Sequence, residues 1–541
     1  MPGKIDAQLN VRVKMRDGVE LSTFVYIPEG KGPWPVMLCR TPYGAMCKGD
    51  GVYEWPDREY VYVGQDCRGR GLSEGDFSAW IQEVNDGEDM MKWLHSQAWC
   101  NGHVCMYGGS YPGGTQNGLA LSGDNYLSCI TPCLCGPECY HTMYNGGALR
   151  LRWQLGWLVG QCSERHLPLN AMDMAATGKV NKFWREALTH PTEDEFWQPS
   201  SMLLNLNRIK APMFMRSGWF DLFIFGMLEQ FAGVRKHAGS DAARKYSRLI
   251  VGPWPHDINR TNIGDVVYPD HAKILDLYEQ EKAYMDYFTA ERGDYNPEVA
   301  PLKIFVMGVN QWRDEYEWPL ARTRWTKCFI SSNGKANSCN GDGRLSFQSD
   351  PGASDCDKFK YDPMNPVPTC GGAWDFSERA GQHYQDEIEK RQDVLVYTGD
   401  VLKENLEITG KVEAHIFASS SAPDTDFTVK LVDCDENGRP LSITDGIIRA
   451  RYRNNKPEGE LLEPGKVYEF IIVCNPTSYT LLAGHRLRIE ISSSNFPAFA
   501  RNLNTAELPD SGVNMAVAEQ QIMHCSEYQS YINLPIIPAK K

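Results

Sequence analysis

At 541 residues, with 42% hydrophobic and 11% aromatic residues, the chain is too long for one core, and about two to four domains with substantial buried cores are expected. Its formal charge of -14 forms no acidic tail, and no Lys/Arg cluster with interleaved aromatics occurs, so nucleic acid and anionic membranes are poor partners. Met1 to Leu21 is polar, no run approaches the roughly 20 residues of a membrane span, and the 17 scattered cysteines suit buried thiols, so a soluble, cytoplasmic protein is expected.

Val36 to Tyr43, Tyr60 to Asp66 and Val104 to Gly109 read as strands, and Val84 to Ser96 reads as a helix with Asn85 and Asp86 as cap candidates. Strands alternating with helices predict a parallel sheet covered on both faces. Cys133, Cys135 and Cys139, with His141 nearby, lack the paired spacing of structural zinc, so packing thiols are expected there and no metal. Residues 139–203, rich in Trp, Arg, Met and Leu at helical spacing and without a strand signal, look like a helical insertion above the sheet. Buried strands resume at Ala211 to Trp219 and Ser247 to Gly252.

Beyond about residue 320 the texture changes to short strands with period-two alternation. Phe427, Val429 and Leu431 share a face, and Asn437-Gly438 supplies a hairpin turn before Leu441 to Ile448. Further strands read at Val394 to Tyr397, Val412 to Phe417, Val467 to Val473 and Leu487 to Ile491, which points to an antiparallel sandwich of the jelly-roll kind.

Three strand ends carry chemistry. Val104 to Gly109 runs into Ser110, flanked by Gly108, Gly109, Gly113 and Gly114. A serine on a tight strand-to-helix turn projects its Oγ above the sheet. Pro112 takes the position usually held by glycine, which the first helical turn tolerates because its amides lack intrahelical acceptors. Met215 to Gly218 delivers Asp221, and Leu249 to Gly252 delivers His256. The order serine, acid, histidine is that of α/β-hydrolases, and a serine hydroxyl needs an oriented imidazole to take its proton. Asp257 is a rival acid, but adjacency to His256 makes contact with the far ring nitrogen awkward. For an oxyanion, the Tyr111 amide and the Tyr43 hydroxyl are candidate donors.

Arg40-Thr41-Pro42-Tyr43, Gln65-Asp66-Cys67-Arg68-Gly69, Ser73-Glu74-Gly75, Gly109-Ser110-Tyr111, Gly218-Trp219-Phe220-Asp221, Gly252-Pro253-Trp254-Pro255-His256, Gly484-His485-Arg486 and Ser492-Ser493-Ser494-Asn495-Phe496-Pro497 together resemble the cocaine-esterase family. That family lies within the X-prolyl dipeptidyl-peptidase-like serine hydrolases. The resemblance implies an α/β fold: an α/β-hydrolase domain in two parts (1–138 and 204–320), an inserted helical cap (139–203) and a C-terminal antiparallel β jelly-roll domain (321–541). It supports Ser110, Asp221 and His256 as the triad, with Tyr43 and Tyr111 as the oxyanion hole. It makes Trp153, Trp157, Phe223 and Trp374 candidates for the substrate pocket. The interval from Ser110 to Asp221 looks short for the family, which implies a trimmed cap.

The expected function is cleavage of carboxylic esters through an acyl-enzyme, with a small-molecule ester or amide substrate and no cofactor. X-Pro dipeptidyl-peptidase, amide or β-lactam acylase and acyltransferase activities use the same triad and stay open, as does homodimer formation. A non-catalytic carbohydrate-binding protein is the remote alternative. Recognition of a free α-amine needs a carboxylate near the pocket, and Asp124, Glu138 and Glu164 are the acids to locate.

Overall fold

The apolar runs read from the sequence form the middle of a large sheet in a computed structural model that describes residues 5–47, 51–153, 156–157, 182–349, 354–374, 379–508 and 512–539. The strands begin with β1 (Ile5–Lys14), β2 (Glu20–Pro28), β3 (Trp34–Thr41), β4 (Val61–Asp66), β5 (Cys100–Gly109) and β6 (Leu127–Cys133). A short hairpin, β7 (Tyr144–Asn145) with β8 (Ala148–Leu149), stands apart from the sheet. After it come β9 (Phe214–Gly218) and β10 (Arg248–Gly252), a second small hairpin of β11 (Asn262–Ile263) with β12 (Val266–Val267), then β13 (Leu302–Val306) and β14 (Gln311–Glu315). Among the described residues, the order across the sheet is β1-β2-β4-β3-β5-β6-β9-β10-β13-β14.

From β4 to β13 neighbouring strands pair in parallel, as expected. Every residue of β4 and β9 is buried, so both faces of the sheet are covered. The edges depart from the expectation: β1, β2 and β4 pair antiparallel in succession, and β14 pairs antiparallel with β13. The polar strand β1 is mostly exposed, so it carries no burial pattern that periodicity could reveal.

The expected first helix runs from Glu83 to His95 after Gln82, so Asn85 and Asp86 lie within its first turn and do not cap it. Other partners use these side chains: Asp86 pairs with Arg68 at 2.6 Å, and Asn85 Oδ1 accepts from Arg16 Nη1 at 3.1 Å. In the segment expected to be a helical cap, the described parts include helices Tyr140–Met143 and Lys182–Leu188, and the β7–β8 hairpin breaks the expectation of no strand there. Residues 154–155 and 158–181 of that segment lie outside the described residues. No helix among the described residues is long and apolar enough to cross a membrane.

The C-terminal part is an antiparallel β domain of the kind expected, with thirteen hydrogen-bonded strands among the described residues. Strand Asp426–Cys434 pairs with Pro440–Arg449 around the Asn437-Gly438 turn, where Gly438 has φ +82°. Phe427, Val429 and Leu431 are fully buried. Backbone bonds fasten this domain to the rest. Met307 N–H donates to Ser478 O and Thr480 N–H to Met307 O, while Arg449 N–H donates to Gly146 O in the β7–β8 turn.

Candidate active site

Parallel strands put their C-terminal ends on one edge of the sheet, and all three chemistry-bearing turns leave from that edge. β5 ends at Gly109, and helix Tyr111–Ala120 begins immediately after Ser110. Ser110 itself has φ 62° and ψ -129°, a conformation that costs a non-glycine residue about 1–3 kcal/mol and persists only where its surroundings fix it. Those surroundings are explicit: Ser110 N–H donates to Cys133 O at the end of β6 (2.8 Å), and Gly113 N–H donates to Ser110 O (2.8 Å).

Glycines make the turn sterically feasible. Gly108 has φ +129°, and a Cβ there would lie 2.6 Å from Cβ of Pro112, so the proline that departs from the usual pattern occupies the space Gly108 leaves. A Cβ on Gly113 would lie 2.6 Å from Cys135 Sγ. Buried Gln116 bridges the strands below, donating to Gly108 O (3.0 Å) and accepting from Thr131 N–H (2.8 Å). Cys133, Cys135 and Cys139 are all buried, and Cys139 Sγ donates to Ala79 O at 3.8 Å. Burial pushes the Cys133 thiol up to about 11, so it is protonated at neutral pH.

Asp221 follows β9 and His256 follows β10, and adjacent strand ends bring the two loops together. Gly218 pairs with Gly252, Trp219 N–H donates to Gly252 O (2.9 Å), and Phe220 N–H donates to Trp254 O (3.0 Å). Asp221 is fully buried and divides its carboxylate between two donors: Oδ1 accepts from the Phe223 amide at 2.9 Å, and Oδ2 lies 2.5 Å from His256 Nδ1. The rival Asp257 is exposed and lies 3.5 Å from Arg260. A buried carboxylate on Nδ1 fixes the imidazole so that Nε2 can accept a proton from a hydroxyl.

Tyr43 leaves the end of β3, and its hydroxyl is in hydrogen-bond contact with the Ser110 side chain and accepts from Trp157 Nε1 at 3.0 Å. Burial of the hydroxyl end is the largest influence on this phenol and raises its pKa, although 38% of the residue's surface is exposed. Such a phenol keeps its proton and can donate to an anion. Tyr111, the first residue of the helix, has no intrahelical acceptor for its amide. Its buried side chain points elsewhere, donating to Glu83 Oε1 (2.8 Å) and accepting from Trp80 N–H (2.9 Å).

An aromatic wall joins these groups. Trp153 lies 6.0 Å from the His256 ring and stacks on Trp157 at 6.0 Å, and Phe223 lies 5.6 Å from His256. Trp157 also stacks on Trp80 and Tyr111, at 5.1 and 5.7 Å. Trp374 is the fourth pocket candidate. It is buried in a cluster with Ala148, Ile447, Ala498 and Phe499, donates to Gly371 O (2.7 Å), and lies under Arg152. Asp124 precedes β6 at the opposite end of the sheet and accepts from Tyr126 N–H. Glu164 lies outside the described residues.

Three supporting residues were given no role from the sequence. Trp80 has φ 62° and forms the base of the stack. Beneath it, the fully buried Arg40 and Glu83 pair at 2.8 Å, and Arg40 also donates to Gln65 Oε1. Desolvation raises the Glu83 pKa, and the Arg40 charge opposes that rise. Glu83 opens the observed helix, one residue before its predicted start at Val84, and Arg40 lies within the first predicted strand, but only the fold brings them together.

Comparison with known proteins bears on this edge of the sheet and on the β domain alike. The family profile X-Pro dipeptidyl-peptidase (S15 family) matches residues 17–257, and X-Pro dipeptidyl-peptidase C-terminal non-catalytic domain matches residues 298–533. The chain is 35% identical to the cocaine esterase of Rhodococcus sp. (strain MB1 Bresler), over 99% of both chains. Among solved structures, an α-amino acid ester hydrolase superposes with a TM-score of 0.84 at 24% identity, covering 99% of this chain and 97% of its own. An aminopeptidase from a marine sediment Thaumarchaeota archaeon gives the same score and coverage at 23% identity.

Proposed function

Because the chain belongs to the cocaine-esterase family of S15-type hydrolases, we propose that it hydrolyses carboxylic esters with Ser110 as nucleophile, His256 as general base and Asp221 as the orienting acid. The observation that carries this reading is the 2.5 Å contact between His256 Nδ1 and the buried Asp221, on the same sheet edge as the strained Ser110 turn.

In this mechanism Ser110 Oγ attacks the ester carbonyl while His256 Nε2 takes its proton. The tetrahedral oxyanion accepts hydrogen bonds from the Tyr111 amide and the Tyr43 hydroxyl, donors that need no reorientation by solvent. His256 then passes the proton to the leaving alcohol, and the acyl group stays on Ser110. A water molecule, deprotonated by His256, attacks the acyl-enzyme and releases the acid. Trp153, Trp157 and Phe223, which contact His256 and Tyr43, line the acyl pocket and exclude water from the ion pair.

The test compares wild type with Ser110→Ala on short and aromatic nitrophenyl esters beside a Gly-Pro anilide. Ester turnover that disappears in the variant is expected. Ester turnover that persists removes Ser110 from the mechanism, and anilide turnover without ester turnover moves the activity to a dipeptidyl peptidase.

A further inference from the structure

Against Phe223, and without His256 among its walls, lies a cavity of about 300 Å³ where the loop after β6, the start of helix Ile224–His237 and the β domain meet. That volume is about ten times a water molecule's share of the liquid and falls at the small end of ligand sites.

One side of this cavity is acidic and already satisfied. Glu138 lies 2.5 Å from His141 Nδ1 and accepts from Ser201 Oγ at 3.0 Å. Glu193 beside it is pushed toward the protonated form, chiefly by desolvation and then by the Glu138 charge. The other side is basic. Arg150 is 4% exposed, donates Nε to His141 O at 3.1 Å and lies over the Phe499 ring at 5.6 Å, yet it has no ion pair among the described residues, and no hydrogen-bond partner for its terminal nitrogens is found among them. Asp445 and Asp221 act on its charge only through space. The oxygens of Asp221 are engaged by Phe223 and His256, and Asp445 Oδ2 accepts from Asn495. Burial accordingly holds the guanidinium down at about 10, still charged at neutral pH.

A buried cation without a hydrogen-bonded counter-ion is costly, and a planar guanidinium with both terminal nitrogens open is shaped for a carboxylate. The remaining walls include Leu222, Phe225, Ile447 and Ile448, which suit an apolar body, and Lys411, paired with Glu413 at 3.3 Å, lies at the rim. We propose that this cavity is a second binding site for a small carboxylate with an apolar body, held by Arg150, with Phe223 but not the catalytic imidazole among its walls. The carboxylate is either a free acid or the far end of a substrate. That a free acid is of the class the enzyme releases rests on the esterase reading; the binding itself does not.

The experiment titrates benzoate, with benzamide as neutral control and inorganic phosphate as a second anion, into the full chain by calorimetry and thermal melting. Benzoate is expected to bind and raise the melting temperature, benzamide not. Arg150→Met is expected to melt no lower than wild type without ligand, because it removes an unpaired buried charge, and to weaken benzoate at least ten-fold. Ile471→Trp, at the exposed rim, is expected to obstruct entry and weaken benzoate with Arg150 intact. Ser110→Ala is expected to bind as wild type does. Benzoate that binds Arg150→Met undiminished, phosphate bound in preference, or binding lost in Ser110→Ala and retained in Ile471→Trp each overturns the proposal. With the site established by binding, benzoate that lowers kcat for nitrophenyl acetate identifies a free-acid site. Benzoate that leaves nitrophenyl acetate turnover unchanged but competes with an ester bearing a distal carboxylate identifies the substrate's own carboxylate as the occupant, and benzoate that raises only KM for nitrophenyl acetate places it in the acyl pocket and overturns the proposal.

Discussion

Tyr43 joins strain, charge and chemistry at the scale of a single residue. Its hydroxyl touches Ser110, and burial raises its pKa above the ordinary 10.0, so the donor survives into alkaline solution. Tyr43→Phe removes only that hydroxyl. A loss of about 10² in kcat with little change in KM is expected for an oxyanion donor, and steady-state kinetics on a nitrophenyl ester measures it. The wild-type kcat/KM profile is expected to show no fall from phenol ionisation below about pH 10, because a raised pKa means the proton is lost only above that value. Below the turn, Glu83 holds both Arg40 and Tyr111. Removing one partner of a buried ion pair leaves an uncompensated charge, so Glu83→Ala is expected to cost about 3–5 kcal/mol in urea unfolding. A cost under 1 kcal/mol is the result against that account. Ser110, Asp221, His256 and Tyr43 were all legible because each follows an apolar run directly. Trp80, Glu83 and Arg150 were not, since nothing local marks a tryptophan that stacks or an arginine left without an ion pair.

Helix Tyr111–Ala120 is poor in intrinsic propensity, with three glycines and a proline in ten residues, and packing compensates. Gly113 admits Cys135, Gly114 admits Trp80, and Gly118 admits the start of the neighbouring helix at Glu83. Gly113→Ala is therefore expected to cost about 1–3 kcal/mol by overpacking. The double variant Gly113→Ala/Cys135→Ala is expected to recover part of that loss, and recovery of none refutes the contact as the cause. A second element-scale effect lies in the β domain, where Glu389 sits beside Glu490 and binds Arg488 at 2.5 Å. Desolvation first, then the Glu490 charge, pushes Glu389 up to about 8. An acid raised in the folded state holds an extra proton there, so its contribution to stability falls as pH climbs from about 4.5 to about 8. Wild type is expected to lose melting temperature relative to Glu389→Gln across that range, and parallel curves would falsify the shift.

Over the whole molecule, the β domain is built into the same body as the sheet. The β7–β8 turn at Gly146 lies against Ile447 and Ile448, Ala500 N–H donates to Leu149 O, and Arg152 N–H donates to Pro497 O beside Trp153. Backbone bonds of this kind link the aromatic wall around His256 to the C-terminal domain. A single calorimetric unfolding transition is expected. Gly146→Val, at φ +52° and against Ile447 O, is expected to lower that transition and to reduce turnover without touching Ser110. Two separate transitions in wild type would show that the contacts do not couple the domains.

Composition, periodicity and chain order determined the α/β and antiparallel β parts, the central parallel strands and the strand-end turns, because each is a local pattern of burial or backbone freedom. The antiparallel edges β1, β2 and β14, the Arg40–Glu83 pair, the burial of Trp374 with Ala148 and Phe499 and the cavity beside Phe223 were decided only by tertiary structure. Each depends on which distant segments meet. Arg150 marks the limit most clearly: in the sequence it is one charged residue among 55 lysines and arginines, and burial in the fold without a hydrogen-bonded counter-ion is what gives it a binding role.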